Sequence, residues 1–279
     1  MTGQVPIAYE NLASDSPRPE ALAAQAPLLL IGKGRLAIHL KHWLKDTFLL
    51  FQWTRGEDLE LLNDHLAKNP RVLLAISDNA LEDFYQNRLA QAVDRGCPTP
   101  VHFSGAFHHP KIISAHPLMS FGTEIYSECG DFYSQIHWVL SGVSSLQEIF
   151  PGVSNSFSIL DPREKPLYHA ACVLGGNLPI LLWQEMASIH SRLKLSSPIP
   201  VQAQNIYLKR IFENYLSHSA SALTGPLARR DLSTISANLK ALDSNPFREV
   251  YQAFVSAYFE RSPINVPQKP SEQKQNKEM

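Results

Sequence analysis

The sequence predicts an α/β protein in which a parallel sheet covered by helices is followed by an all-helical domain. Between residues 26 and 105, short apolar runs alternate with amphipathic segments, which is the pattern of strands and crossover helices in a parallel sheet. After residue 161 the strand-like runs disappear, and long segments with helical spacing follow. A chain of 279 residues is also long enough for two domains.

The first half of the chain gives a regular series of elements. Strands are expected at APLLLI, TFLLFQW, RVLLAIS and PVHFSG, and helices at Arg35–Lys45, Asp58–Lys68 and Asn79–Arg95. The region 112–160 is less regular, with further strand candidates at IISAHPL, SQIHWVLSG and NSFSIL and a short helix at SSLQEIF. These additional strands would extend one edge of the sheet.

The second half is expected to be helical at about Lys165–Leu193, Val201–Ser219, Ser233–Leu242 and Pro246–Arg261. The change of pattern predicts a sheet domain over residues 26–160 and a helical domain over residues 161–263. Residues 1–25 and 264–279 are polar and lack periodicity, so both are expected to be flexible tails.

Net charge, apolar runs and cysteine spacing limit the kinds of binding partner and cellular location that the sequence predicts. A net charge of -1 gives no electrostatic basis for binding nucleic acid or an acidic membrane, so a small-molecule ligand is favoured. No apolar run approaches the ~18 residues that cross a bilayer, and the N-terminus lacks a signal-peptide pattern. Cys97, Cys129 and Cys172 are far apart and show no CxxC spacing, so they are expected to be reduced thiols of a cytoplasmic protein.

A glycine-rich turn, IGKGRLA, follows the first predicted strand. In a dinucleotide-binding turn the first glycine makes the bend, the second lets the backbone approach the pyrophosphate, and a third small residue lets the helix pack on the strand. Gly32, Gly34 and Ala37 stand at these positions. The order of strand, turn and helix favours a bound dinucleotide over a tight corner without a ligand. The residues expected to contact the cofactor here are Gly32, Lys33, Gly34, Arg35 and Leu36.

The end of the second predicted strand discriminates between the two nicotinamide cofactors. A carboxylate is expected there to bind the ribose 2'-hydroxyl of NAD, but the strand ends in FQWTR. The first acids, Glu57 and Asp58, come after a glycine. Thr54 and Arg55 could instead donate to the 2'-phosphate of NADP. The sequence therefore predicts NADP rather than NAD, with a merely solvated Arg55 as the alternative.

Ligands of open parallel sheets bind at the carboxyl ends of the strands, which selects further candidates. Ser77 and Asp78 follow the third strand, and Ser104 and Gly105 follow the fourth, so these four are candidates for ribose or nicotinamide contacts. His116 is a candidate proton donor near neutral pH. Each of these residues could instead be a turn residue that bonds its own backbone.

The helical half adds two candidate groups. His169 and Asn177 lie eight residues apart, about 80° around an α-helix, so both could face one cleft, although a buried and hydrogen-bonded pair is equally consistent. The residues Thr224, Gly225 and Pro226 predict either a helix–turn–helix connection or an anion pocket for substrate.

Other chemistries are disfavoured. The histidines have no recognised metal spacing, and neither a GxSxG nor a GxxxxGK[ST] motif is present, so no metal is expected.

Five blocks, IGKGRLA, VHFSGA, AHPLMSF, LYHAACVLGGN and ALTGPLARRD, resemble in their order and separation the Rossmann-like family with domain of unknown function 2520. Members of that family are described as NADP oxidoreductases, and the resemblance covers about Leu28–Phe259. The family is similar to the 6-phosphogluconate dehydrogenase and pyrroline-5-carboxylate reductase group. The resemblance thus implies a Rossmann-type cofactor domain over residues 26–160, followed by a helical substrate and dimerisation domain that forms a homodimer.

The resemblance also implies roles for individual residues. In related β-hydroxyacid dehydrogenases the first long helix of the second domain carries a proton-handling lysine and a substrate-binding asparagine. His169 and Asn177 stand at the corresponding places, so the lysine is not matched. Two blocks depart from the usual family pattern: the stretch between SGA and HPL is short, and Gly176 replaces a more typical serine.

The leading hypothesis is an NADP-dependent reductase that moves a hydride between nicotinamide and a carbonyl or imine carbon. His169 or His116 would supply the proton and Asn177 would orient the substrate. Two alternatives stay open: a dinucleotide-binding sensor or interaction protein without turnover, and a dimeric scaffold whose glycine turn is empty.

Overall fold

The structure, a computed structural model, describes residues 27–126 and 132–261. Within these ranges one seven-stranded sheet has the order β2-β1-β3-β4-β5-β6-β7. β1 to β5 are parallel, β6 is antiparallel to β5, and β7 is parallel to β6. The strands are β1 (Leu28–Ile31), β2 (Leu50–Trp53), β3 (Arg71–Leu74), β4 (Val101–His102), β5 (Ile113–Pro117), β6 (Trp138–Ser141) and β7 (Phe157–Ile159).

Helices connect the first four parallel strands, whereas the described connection from β4 to β5 contains none, and the chain is helical after β7, which confirms the predicted fold class. The first helices are α1 (Arg35–Leu44), α2 (Leu59–Leu66), α3 (Asp78–Phe84) and α4 (Ala90–Asp94), the last two separated by a π-helical segment (Tyr85–Leu89). The later helices are α5 (Lys165–Cys172), a π-helical segment (Val173–Asn177), α6 (Leu178–Arg192), α7 (Val201–His218), α8 (Gly225–Arg229), α9 (Leu232–Ala241) and α10 (Phe247–Arg261). Short 3-10 helices occur at Phe132–Gln135, Leu146–Glu148, Pro162–Glu164 and Ser219–Ser221.

The chain divides into two compact units between Pro179 and Ile180, so α5 belongs to the same unit as the sheet. The domain boundary predicted at residue 160 marks the end of the last strand, and as a boundary between folding domains it stays a prediction. Cys129 and the predicted tails, residues 1–25 and 264–279, lie outside the described residues. Among the helices that the structure describes, none combines the length and the apolar character needed to cross a membrane.

The polarity of one face of the sheet changes between the central strand β1 and the strands β4 and β5. In β1, alternate residues enter two separate apolar clusters, as expected of a central parallel strand covered on both faces. β4 and β5 keep only the first of these faces apolar, with Val101, Ile113 and Ala115 in its cluster. The alternate positions, which point to the second face, hold His102, Ser114 and His116. The second face therefore changes from apolar to polar at β4 and β5.

The glycine turn after β1 is fixed by contacts with β2 and β3. Gly32 has a φ of +126°, a conformation that favours glycine, and a Cβ there would collide with the carbonyl oxygen of Ala75. Its N–H donates to the Trp53 carbonyl at 3.0 Å, and Gln52 Nε2 donates to its carbonyl at 2.9 Å. Gly34 has an ordinary φ of -72°, and a Cβ there would meet no atom within 4 Å. The backbone conformation and packing at position 32 thus require glycine, whereas those at position 34 do not.

Replacing each glycine by alanine should show that only Gly32 is needed for the stability of the fold. Gly32→Ala should lower the free energy of unfolding by about 3 kcal/mol, because it combines backbone strain with a collision against main chain. Gly34→Ala, the matched control, should change it by less than about 0.5 kcal/mol. Urea unfolding followed by circular dichroism measures both. Equal losses of stability in the two variants would contradict this account of the turn.

Candidate functional site

The predicted cofactor turn lies at the edge of the sheet where β1 to β5 end. Lys33, Gly34 and Arg35 are exposed, and Leu36 is half-buried against the core. The first turn of α1 has no side-chain cap and no acidic residue. Its backbone N–H groups and the positive end of its dipole are therefore suited to bind an anion.

A carboxylate that the sequence places beyond β2 is folded back to the end of that strand. Glu57 Oε2 accepts a hydrogen bond from the Thr54 N–H at 2.5 Å, and the Glu57 N–H donates to the Thr54 carbonyl at 3.1 Å. Asp58 instead caps α2, where it accepts from the Glu60 N–H. The exposed Arg55 therefore shares the end of β2 with the negative charge of Glu57. The sequence had predicted that no carboxylate lies at this strand end.

Arg55 also lines a cavity of about 720 Å³ beside α3 and the π-helical segment that follows it. A second guanidinium group, that of Arg88, lines the same cavity. Two arginines outnumber the single lining carboxylate, Asp83, and planar guanidinium groups are well suited to bind phosphate. The other polar lining residues are Ser77, Asn79 and Asn87.

Asp78 and Ser104, predicted as separate candidates, are hydrogen-bonded to each other. The Ser104 hydroxyl donates to Asp78 Oδ2 at 2.5 Å. It also accepts from the backbone N–H groups of Ala106, at 3.2 Å, and Phe107, at 2.9 Å. Ser104 thus combines the backbone-bonding role that the sequence left open with a link to the start of α3. Ser77, the N-cap residue of α3, is exposed and makes no side-chain cap bond.

A buried lysine lies on the polar face of β4 and β5. Lys165 begins α5 and is 1% exposed. Its ammonium donates to the Ser104 carbonyl at 3.0 Å and to the Ser114 hydroxyl at 2.6 Å. Burial lowers the pKa of Lys165 to about 8, and the nearby carboxylate of Asp78 opposes this shift.

Sequence reasoning missed Lys165 because a lysine at a helix start is ordinarily solvated. Polar residues at alternate positions of two otherwise buried strands could have indicated a buried partner. Buried polar groups require hydrogen-bond partners, and a lysine is one such partner.

The two predicted proton donors come together at Gly105. His116 Nδ1 lies 2.7 Å from the Tyr168 hydroxyl, and the ring centres of His116 and His169 are 6.1 Å apart. A Cβ on Gly105 would lie 2.5 Å from His169 Nδ1 and 3.2 Å from the His116 ring. His169 Nδ1 is buried and has no hydrogen-bond partner among the described residues. The absence of a side chain at position 105 therefore lets both imidazoles reach the same place.

Burial and neighbouring positive charge shift the histidines of this face toward the neutral form. The pKa of His116 is lowered to about 4, first by burial and then by Lys165 and His169, while Asp78 opposes the shift. The pKa of His102 is lowered to about 3, again mainly by burial and next by Lys165. Burial also raises the pKa of Tyr168. At neutral pH His116 is therefore a neutral imidazole, which can accept a hydrogen bond at one nitrogen and donate from the other.

Asn177 is not drawn into this cluster. It ends the π-helical segment Val173–Asn177 and is exposed. The angle of 80° to His169 assumed an uninterrupted α-helix, and the wider π-helical turn between the two residues changes that angle. Its role in orienting the substrate stays a prediction.

The residues Thr224, Gly225 and Pro226 begin α8, in the second unit. Thr224 is the extended N-cap residue, Gly225 has a φ of +85°, and Pro226 occupies the first turn, where proline is favoured. Asp231 then caps α9, accepting from the N–H and hydroxyl of Thr234. Locally this is a connection between two helices, and its role in substrate binding stays a prediction.

Residues 140–258 match the family described as "Domain of unknown function (DUF2520)". Over this part of the chain, the match confirms the resemblance identified from the sequence. The match begins in β6 and ends in α10. Among curated proteins, none matches the chain.

Solved structures share the fold over most of the chain. A protein of Thermotoga maritima is 20% identical, with a TM-score of 0.58 over 84% of this chain and 97% of its own. A "putative NADP oxidoreductase" of Bacteroides fragilis is 20% identical, with a TM-score of 0.61 over 85% and 98%. The pyrroline carboxylate reductase of Plasmodium falciparum, solved with NADP bound, is 15% identical, with a TM-score of 0.50 over 85% and 98%. At these identities the similarity shows the Rossmann-type fold.

The buried neutral histidines should make the first unit sensitive to acid. The pKa of His102 is about 3 in the fold and about 6.5 when unfolded, so the unfolded chain binds more protons as the pH falls below 6.5. Between pH 7.5 and pH 5, His102 should therefore cost about 2 kcal/mol of stability. His102→Gln should remove that part of the loss, measured by urea unfolding at both pH values.

The exposed His42 provides the control, because His42→Gln removes a histidine without touching the polar face. An acid-induced loss of stability as large in His102→Gln as in the parent would contradict the burial of His102 as a neutral group.

Proposed function

We propose that the protein is a reductase that binds a nicotinamide dinucleotide at the glycine turn and moves a hydride between it and a carbonyl or imine carbon. The observation that carries this proposal is a set of three polar contacts spread along the carboxyl edge of the sheet. Gln52 bonds Gly32 at one end, Asp78 bonds Ser104 in the middle, and His116 lies at the other. Open α/β sheets bind their ligands along this edge.

The glycine turn is suited to the pyrophosphate. The exposed start of α1 offers uncapped N–H groups, and the missing side chain of Gly34 leaves room for a ligand to approach the backbone. The buried Ala37 lets α1 pack closely on the sheet, as the third position of such a turn requires. The neighbouring side chain of Arg35 adds positive charge.

We favour NADP over NAD because two guanidinium groups line the cavity to which the ends of β2 and β3 contribute Arg55 and Ser77. Arg55 would bind the 2'-phosphate as the sequence suggested, and Arg88 would approach it from the π-helical segment. Glu57 opposes this assignment, since its carboxylate lies at the end of β2, where an acid favours NAD. The preference for NADP thus depends on two positive charges outweighing one negative charge.

The residues around Gly105 would handle the proton. Reduction adds a hydride to the substrate carbon and a proton to its oxygen or nitrogen, and a bound nicotinamide dinucleotide supplies the hydride. We assign the proton to the half-buried His169, because its Nδ1 has no hydrogen-bond partner among the described residues, whereas His116 Nδ1 is already bonded to Tyr168. The role of His116 is then to orient the substrate, and His169 is reprotonated from water.

A dinucleotide-binding sensor or interaction protein without turnover is the second candidate. The observation that favours it is the burial of Lys165, which is 1% exposed and has two hydrogen-bond acceptors within the fold. A lysine held in this way does not reach a substrate, so the proton-handling lysine of related dehydrogenases has no exposed counterpart at this end of α5.

Binding of NADPH and NADH, followed by fluorescence, tests the proposal and its cofactor preference. The parent should bind NADPH at least about tenfold more tightly than NADH, because charge-assisted bonds to a phosphate contribute about 1.5–3 kcal/mol. The double variant Arg55→Ala, Arg88→Ala should lose that preference and keep its affinity for NADH. Arg95→Ala is the matched control, because Arg95 does not line the cavity shared by Arg55 and Arg88.

Failure to bind either dinucleotide would contradict the proposed function, and a preference for NADH would contradict only the choice of NADP. If NADPH binds, a panel of carbonyl and imine substrates distinguishes the reductase from the sensor. His169→Gln should then lower kcat about 100-fold or more with NADPH affinity unchanged. Tight NADPH binding with no turnover of any substrate would favour the sensor.

We also propose that the chain forms a homodimer through its helical unit. α7 has 18 residues, none of them buried, although it carries many large apolar side chains. An exposed apolar face of this size ordinarily marks an interaction surface. The exposed apolar residues of α7 are Val201, Ile206, Tyr207, Ile211, Phe212, Tyr215 and Leu216.

Light scattering with size-exclusion chromatography tests the dimer. The parent should have the mass of two 31.2 kDa chains, and Ile211→Glu should reduce the mass to that of one, because a charge in an apolar interface is costly. Lys209→Glu changes charge on the same helix outside the apolar set and should stay dimeric. A monomeric parent at micromolar concentration would refute this proposal.

A further inference from the structure

We propose that Lys165 is a positioning residue, a buried cation that fixes α5 on the polar face of β4 and β5 and acts on His116 through its charge. This inference deepens the proposed function, on which it rests for the use made of His116. The lysine contacts neither the glycine turn nor any exposed group of the site, so its effect must pass through its neighbours.

The geometry ties three elements to one side chain. Lys165 Nζ donates to the Ser104 carbonyl, just after β4, and to the Ser114 hydroxyl, in β5. Tyr168 and His169 follow Lys165 by three and four residues, so they lie on the same side of α5 one turn further along. The ammonium therefore sets where the Tyr168 hydroxyl and the His169 ring meet β5.

The same ammonium is placed to act on His116 through its charge. Ser114 and His116 alternate with Ala115 along β5, so the group bonded to Ser114 lies on the same face of the sheet as the His116 ring. A fixed cation in a poorly solvated place disfavours a second cation nearby. The groups that face His116 are Asp78 from α3, the neutral His102 from β4, and Lys165, Tyr168 and His169 from α5.

Of these groups, Lys165 and His169 disfavour a charged His116, and only Asp78 favours it. Burial acts in the same direction as the lysine and is the larger effect. A neutral His116 keeps its hydrogen bond with Tyr168 through Nδ1 and leaves Nε2 for a substrate. Loss of the cation would raise the pKa of the ring, so that it takes up a proton at a higher pH than in the parent, which would change what it can bind there.

The test follows the titration of His116 by NMR in protein labelled at histidine. In the parent the pKa of His116 should be about 4. Lys165→Met keeps most of the aliphatic side chain and removes the charge, so the proton affinity of His116 should rise about tenfold or more. Ser114→Ala is the matched control: it removes one hydrogen bond and leaves the ammonium in place, so the titration should change little.

Two further variants keep the proposal falsifiable if Lys165→Met does not fold. Lys165→Gln removes the charge but keeps a donor for Ser114, and it should raise the pKa of His116 as Lys165→Met does. Lys165→Arg keeps the charge and should retain the low pKa. The proposal is overturned if His116 titrates as in the parent in a folded, uncharged variant, or if its pKa rises equally in Ser114→Ala or Lys165→Arg.

The outcome is independent of cofactor binding. If neither NADPH nor NADH binds, the proposed function fails, but the titration still decides what Lys165 does to His116. If a dinucleotide binds and the titration is unchanged by loss of the charge, the function stands and Lys165 has only a structural role.

Discussion

The hydrogen bonds of the buried Lys165 ammonium are the interaction on which the rest of the site depends. A cation removed from water must be compensated by dipoles or counter-charge within the protein. Here a backbone carbonyl and a hydroxyl from two neighbouring strands supply the dipoles, and Asp78 supplies negative charge nearby. Because Asp78 also binds the Ser104 hydroxyl, the start of α3, the end of β4 and the start of α5 are held together.

This network explains why unrelated parts of the sequence meet at one edge of the sheet. β1, β2 and β3 place apolar side chains in the clusters on both faces of the sheet, whereas β4 and β5 are polar on the face that receives the lysine. The change of character occurs where a parallel sheet of this type binds its ligands. Gly105 then lets His116 and His169 approach each other beside the network. Structural stability and candidate chemistry therefore depend on the same few contacts.

Much of this arrangement was predictable from local patterns. Apolar runs alternating with helical segments predicted the strands and helices, and the spacing of Gly32 and Gly34 predicted the turn at the end of β1. The carboxyl-edge rule selected Asp78, Ser104 and His116, although it could not show that the first two are bonded to each other.

The features that were missed depend on contacts between distant residues or on irregular backbone. Lys165 meets acceptors 61 and 51 residues away, so nothing in its own neighbourhood marks it as buried. Glu57 reaches the end of β2 only because a tight turn folds it back. The two π-helical segments insert a wider turn into sequences whose periodicity predicts continuous α-helix, and Arg88 and Asn177 lie in these segments.

The central claim is that the glycine turn and the polar face of β4 and β5 form one site. The most direct test is to titrate histidine-labelled protein with NADP and follow the ring signals of His116 and of the exposed His42 by NMR. The account predicts that the His116 signals shift with the same saturation curve as cofactor binding, while those of His42 stay in place. Saturation of the protein with cofactor while the His116 signals remain unchanged would contradict it.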